Sequence, residues 1–331
     1  MFHKSSNDMF ELQGWKGTPV IERASVDRIS VARSGVVLKH AEEVSRLLLE
    51  GRDGLDLLHR LSTNDLLRWP QTSLTLTVLT TEKGRIIDAV RVVKYGSGHL
   101  LLGSADAEEE VLRWITKYTI ADDVAVRSIT NETDLWVLVG PDSEAVAARW
   151  DDNASAQPQF FISDATTRLP MVYILEMGNT DTSVSRLAGK KNIPVLDAAE
   201  WDLLRILYGI PAYGKELDRR FNPEEAGLGG FISRDKGCYV GQEVLARIET
   251  YHKNRNTLAG VVERWQELGF SGPLFREGTH IGEITSAASI PYEGQRVGLA
   301  ILRATAAEPG TILTTAQGRE VRVSAIPIHH T

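Results

Sequence analysis

Leu74-Thr75-Leu76-Thr77-Val78-Leu79-Thr80 sets apolar residues two apart between threonines, and after the turn residues Glu82-Lys83-Gly84-Arg85 a second apolar run continues from Ile86 to Tyr95. Alternation with period two marks a strand with one face buried, and a glycine-bearing turn between two such runs predicts a β-hairpin. Outward from it, Gly96-Ser97-Gly98 turns into a third strand at 100–102, and residues 105–118 place Val111, Leu112, Ile115 and Tyr118 on one side of a helix. A strand at 124–129 completes a β-β-β-α-β unit. Upstream lie a strand at 36–38, an ambiguous apolar segment at 41–49 with Val44, Leu47 and Leu48 at helical spacing, and a helix bearing Leu55, Leu58 and Leu61 that Asp53 can cap.

The pattern then repeats in kind. Strands are expected at 135–139 and 171–177 and helices at 142–150 and 181–188, while the polar stretch 151–167, with Pro158 inside it, reads as a surface loop. Residues 197–207 form a helix with Asp197 as cap and Trp201, Leu204 and Tyr208 along one side. From Asn256 onward short strands at 257–262, 281–285, 297–302, 311–314 and 321–325 alternate with glycine and proline turns, the signature of a small antiparallel barrel. The expected class is α+β: two α+β units at 30–125 and 126–252, free to interleave, then a β-barrel at 256–331.

Composition bounds the function. With 331 residues, 42% of them hydrophobic, the chain can bury more than one core, and a net charge of −7 disfavours a broad nucleic-acid or anionic-membrane surface. Neither a leader-like segment over residues 1–15 nor a run of 18 apolar residues is present, so a cytoplasmic monomer or weak dimer without membrane or direct nucleic-acid contacts is expected.

The chain holds one cysteine, Cys238, in Lys236-Gly237-Cys238-Tyr239-Val240-Gly241-Gln242-Glu243. One sulfur cannot build a disulfide within the chain, a thiolate zinc cage or an iron–sulfur site, and no metal is expected. Gly237 and Gly241 allow positive φ, and the segment reads as a loop leading into a helix at 242–248. A thiol near a helix N-terminus, with Lys236 two residues away, has reason to ionise easily; the alternative is a small buried hydrophobe. Gln242 and Glu243 are expected to orient the loop by capping backbone N–H groups. Arg247, four residues after Glu243, either pairs with it along the helix or holds a ligand anion. His252 could serve Cys238 as a base or be an exposed histidine, and His329-His330 reads as a frayed tail.

The octapeptide, followed by Val244-Leu245-Ala246-Arg247, resembles the signature of the YgfZ proteins, folate-binding relatives of the glycine-cleavage T-protein. Further pieces occur in that family's order: Gly54-Leu55-Asp56-Leu57-Leu58, Thr63-Asn64-Asp65, Lys83-Gly84-Arg85-Ile86-Ile87-Asp88, Gly209-Ile210-Pro211, Asn222-Pro223-Glu224 and Ile281-Gly282-Glu283-Ile284-Thr285-Ser286. The resemblance implies two ferredoxin-like α+β units and a C-terminal β-barrel around a folate-sized channel. It also implies tetrahydrofolate or a one-carbon derivative as cofactor, iron–sulfur client enzymes and assembly factors as partners, and an indirect link to tRNA modification.

On the same ground Cys238 is the functional thiol, set in a loop with Lys236, Gly237, Tyr239, Gly241, Gln242 and Glu243, and Trp201, Asp88, Arg205 and Arg247 are candidates to hold the folate. Trp201 could stack on a flat ring or belong to the core. Two departures separate the chain from the T-protein: Ala89 follows Asp88 where that pattern has a second acid, and Leu207 stands where it has a pterin-gripping glutamate. A tryptophan of the family also lacks a counterpart, with Val44 near its place. The expectation is therefore a folate-binding accessory protein for iron–sulfur enzymes, the alternative a folate-dependent one-carbon transferase or demethylase.

Overall fold

The computed structural model describes residues 28–150, 159–178, 183–250, 256–264 and 270–329. Strands β1 (Val37–His40) and β2 (Val44–Glu50) are adjacent in sequence but part company. β2 joins β3 (Thr75–Thr80), β4 (Ile86–Tyr95), β5 (Gly98–Ser104) and β6 (Ala125–Ser128) in a five-stranded antiparallel sheet of order β3-β4-β5-β2-β6. β1 pairs instead with β7 (Thr133–Val139), which continues to β9 (Met171–Met177) and β8 (Gln159–Asp164) in a four-stranded sheet. The expected hairpin is β3–β4, in register from Thr75↔Val92 to Leu79↔Asp88.

Helices α1 (Gly54–Leu61) and α2 (Glu108–Tyr118) cover one face of the larger sheet, where Leu57, Leu58, Leu61, Val111 and Ile115 pack on Leu47, Leu49, Val90 and Leu101. Its other face, through Leu48, Val93, Leu100 and Leu102, shares a core with the inner face of the smaller sheet. α3 (Ser143–Ala147) and α4 (Ser183–Lys190) lie on the far side of that smaller sheet. α5 (Ala198–Tyr208) enters the shared core through Leu203, Leu204, Ile206 and Leu207. Its start is fixed by a reciprocal cap: the Asp197 carboxylate accepts from the Glu200 N–H, and the Glu200 carboxylate accepts from the Asp197 N–H, both at 2.9 Å. Gly209 ends it at φ +68, where a Cβ would stand 2.4 Å from Ile326.

After α6 (Gln242–Thr250) come β10 (Asn256–Arg264), β11 (Gly272–Arg276), β12 (Thr279–Ala287), β13 (Gln295–Arg303), β14 (Ile312–Thr315) and β15 (Glu320–Ser324). They close into a six-stranded barrel of order β10-β13-β12-β11-β14-β15. The α+β architecture with a C-terminal antiparallel barrel is thus the one expected.

Several local expectations change. The segment 41–49 is β2, a strand buried on both faces, so its leucines run consecutively and imitate helical spacing. The loop expected at 151–167 contains β8, an edge strand whose Phe160, Phe161 and Ile162 pair along β9; residues 151–158 lie outside the described residues. The helix expected at 142–150 is only α3. Asp53 stands at the start of α1 without capping it; its carboxylate accepts from the Asp123 N–H at 2.8 Å. β11 carries no clean alternation because a bulge between Leu274 and Phe275 breaks its register. The tail is tied down as far as His329: Ile328 is buried and its N–H donates to the Leu207 carbonyl at 2.7 Å, while Arg33 meets His329 Nδ1 at 3.3 Å.

Candidate functional site

Where the two sheets, α5 and the barrel converge, they enclose a cavity of about 990 Å³. That volume suits a ligand of several rings. From α5 come Trp201, Arg205 and Tyr208, at i, i+4 and i+7, so one helical stripe faces the cavity while the leucines face the core. β4 contributes Ala89 and Arg91, two apart on one face. Tyr173 of β9, Tyr213, and Leu258 and Ile326 of the barrel complete different walls.

The predicted site residues divide. Trp201 and Arg205 reach the cavity together. Trp201 does both things the sequence allowed, packing against the core and lining the cavity. Arg205 is a clamp: Nε donates to Asp202 at 2.7 Å, Nη1 to the Ile210 carbonyl and Nη2 to Ser286 Oγ at 3.0 Å. Beside it, fully buried Glu216 accepts from Thr285 Oγ1 and Ser286 Oγ and from the Ala212 N–H, tying the loop after α5 to β12.

Asp88 lies one residue off the cavity face, behind the wall. Oδ2 accepts from the Ser104 N–H and Oδ1 from Ser104 Oγ, each at 2.8 Å, and Oδ1 also accepts from the Ala89 N–H. A Cβ on Gly103 would stand 2.8 Å from Oδ2, so glycine is what lets the carboxyl sit flush against β5. Burial pushes its pKa up to about 6 against the opposing pull of those donors and of Arg91.

The Cys238 loop is held from beneath, outside the cavity. Lys236 is buried, and its Nζ donates to the carbonyls of His59 (2.6 Å), Ser62 (2.7 Å) and Asn64 (2.8 Å), satisfying acceptors that the end of α1 leaves open. Burial pushes this lysine down to about 8, with Asp65 pulling the other way. Tyr239 is buried with Nζ 4.8 Å from its ring centre, the Val240 N–H donates to the Arg60 carbonyl, and Thr80 Oγ1 donates to the Val240 carbonyl. Gly241, at φ +86, passes so close to the β3–β4 turn that a Cβ would meet the Thr81 carbonyl at 2.6 Å.

Between these anchors Gly237 and Cys238 are exposed. The thiol is therefore not the buried hydrophobe of the alternative reading. Gln242 opens α6, and Glu243 pairs with Arg247 at 2.7 Å along the helix, as their spacing allowed; neither lines the cavity. His252 lies outside the described residues.

A family model described as the GCVT N-terminal domain matches residues 3–178, more than half of the chain. The chain belongs to the GCVT family. Among curated relatives of this GCVT protein, an aminomethyltransferase of Shouchella clausii is 25% identical over 98% of this chain and 94% of its own length. A protein of Arabidopsis thaliana named as a candidate chloroplastic transferase is 27% identical over 89% of this chain and 71% of its own. The crystal structure of the glycine cleavage system aminomethyltransferase T from Bartonella henselae has the same fold, with a TM-score of 0.78 over 92% of this chain and 89% of that one at 17% identity.

Sequence reasoning passed over Arg91, Tyr173, Tyr213 and Glu216. Arg91 did carry a signal, a lone charge on the face of β4 otherwise formed by Ala89 and Val93. Glu216 carried none, since its burial arises from a loop folding back onto the barrel.

Proposed function

We propose that this GCVT-family protein binds a reduced folate, tetrahydrofolate or a one-carbon derivative, in the central cavity and acts as a folate-dependent one-carbon transferase of the aminomethyltransferase-like kind. The observation that carries the reading is the cavity itself: its volume, the half-buried Trp201 in its wall, and hydrogen-bonding groups placed around flat apolar surface. Such a lining fits a ring system with polar edges, and an indole face adds about 0.5–1.5 kcal/mol of stacking beyond area burial. A bound folate would supply the one-carbon carrier; the chain would bind and orient it and keep water from the reacting atoms. Calorimetric titration with 5-formyl-tetrahydrofolate, followed by incubation with methylene-tetrahydrofolate and analysis of the folates, tests the reading. Binding that Trp201→Ala weakens, with multiple turnover, supports it; absence of folate binding sinks it.

A second reading has its own observation, the exposed Cys238 on a loop anchored outside the cavity. In it the protein is a YgfZ-type cytoplasmic accessory that supports assembly or repair of iron–sulfur enzymes, including those that modify tRNA, with Cys238 passing on a group or lending a ligand. Ala89 and Leu207, both unable to act as acids, fit a chain released from aminomethyl transfer. Complementation of a deletion strain decides: this reading fails if Cys238→Ala restores iron–sulfur enzyme activity as fully as the wild-type gene.

A further inference from the structure

Three arginines reach the cavity wall, and their hydrogen bonds set them apart. Arg205 has every nitrogen engaged by the protein. Arg168 is exposed at the rim and donates through Nη1 to the Ile326 carbonyl at 2.9 Å. Arg91 is built differently. Its Nε donates to Asp164 Oδ2 at 2.6 Å, its guanidinium carbon stands 5.9 Å from the centre of the Tyr173 ring, and its side chain is only 16% exposed.

Asp164 is itself immobilised, since Oδ1 accepts from the N–H and Oγ1 of Thr166 at 2.8 and 2.6 Å. The guanidinium plane is thereby fixed, yet among the described residues neither Nη of Arg91 has a protein acceptor. Both Nη groups stay open to the cavity, so a fork held this rigidly is placed to donate to an acceptor there.

Charge decides what partner. Fully buried Asp164 neutralises Arg91, and Asp88 adds further negative potential from behind the same strand. A third carboxylate placed against Arg91 would meet the repulsion of both these acids, which this one guanidinium already serves. A neutral acceptor edge meets none.

We propose that Arg91 recognises the neutral carbonyl edge of a flat heterocycle, which on the folate reading, on which this inference rests, is the 4-oxo edge of the pterin ring. Arg91 is then the residue that distinguishes a 4-oxo ring from one bearing an amino group there, because an amine turns donors toward donors.

The test is calorimetry with tetrahydrofolate and its 4-amino analogue, whose tails are identical. Wild type is expected to prefer the 4-oxo ligand by about 10- to 100-fold, the range for a hydrogen bond to a charged group. Arg91→Met should reduce the preference to below about threefold. Because that change strands Asp164, an Arg91→Gln/Asp164→Asn variant, which keeps a neutral hydrogen-bonded pair, is measured alongside it and should lose the preference equally while melting like wild type. Equal weakening of both ligands by the variants, or no preference in wild type, overturns the role of Arg91 and leaves the folate reading standing. Failure of wild type to bind either ligand overturns both.

Discussion

Replacing Lys236 by methionine removes the ammonium that closes the end of α1 and fastens the Cys238 loop. Two opposed quantities set the effect. The three carbonyl acceptors at 2.6–2.8 Å lose charge-assisted bonds worth about 2 kcal/mol each. Against this, the depression of Lys236 from 10.5 to about 8 measures the penalty of burying its charge, about 3 kcal/mol, which methionine does not incur. The net is a destabilisation of about 3 kcal/mol, with Lys236→Arg no better because a planar fork cannot meet three converging carbonyls. Urea denaturation gives the global value. Hydrogen exchange gives the local one: the Val240 amide, which donates to the Arg60 carbonyl, should exchange much faster in the variant. A variant within about 0.5 kcal/mol of wild type, with Val240 protected as before, would show that the lysine follows the loop rather than fastening it.

Three other perturbations probe separate parts. Asp88, raised from 3.8 to about 6, holds its proton more tightly in the folded protein, so its contribution to stability is complete below pH 3.8 and is lost as pH rises through about 6. Between pH 4 and 7 wild type should therefore lose about 2.5 kcal/mol relative to Asp88→Asn, and parallel pH profiles in denaturant melts would contradict the assignment. Gly241→Ala forces a Cβ to within 2.6 Å of a backbone oxygen at φ +86, with an expected loss of about 2 kcal/mol or more; a neutral result would mean the turn gives way freely. Asp197→Ala opens the cap of α5 and should lower stability by about 1 kcal/mol, with Asp197→Asn recovering most of it in the same thermal melts.

Barrel strands such as β14 and β15 were legible because exposed and buried positions alternate along them, the hairpin because threonines hold the alternate positions of β3 although both its faces are buried, and α5 because its cap and its apolar spacing agree. β2 was not, because burial on both faces removes the polar half of the pattern. In the site, Trp201 and Arg205 were legible from their helix, whose periodicity also says which neighbours point elsewhere: Leu207 belongs to the core stripe, so the missing glutamate is also a change of packing. The Cys238 octapeptide announced itself by composition, but nothing in sequence says that its lysine reaches back to residues 59–64. Asp88 and Arg91 are three residues apart on one strand and lie on opposite sides of it, a distinction that needs the register of β4 against β5 and the gap left by Gly103.

The parting of β1 from β2 bears on how the molecule assembles. Among the strands β1 pairs with β7, with Val37 opposite Val139, and on its other side the Leu38 N–H donates to the Pro194 carbonyl and its carbonyl accepts from the Leu196 N–H; everything between β1 and β7 belongs to the other sheet or its helices. The ordering entropy of closing that long loop precedes any reward from the pairing, and it is recovered only when β9 and then β8 complete the smaller sheet. A chain cut after residue 125 keeps β1 but lacks its mate, and one begun at 126 exposes the flank of β7 as an open edge. The GCVT match ends at residue 178, one position beyond β9, the first point at which every strand of both sheets has its neighbour. The two sheets thus interleave along the chain and share one core, so loosening either will be felt in the walls of the cavity between them.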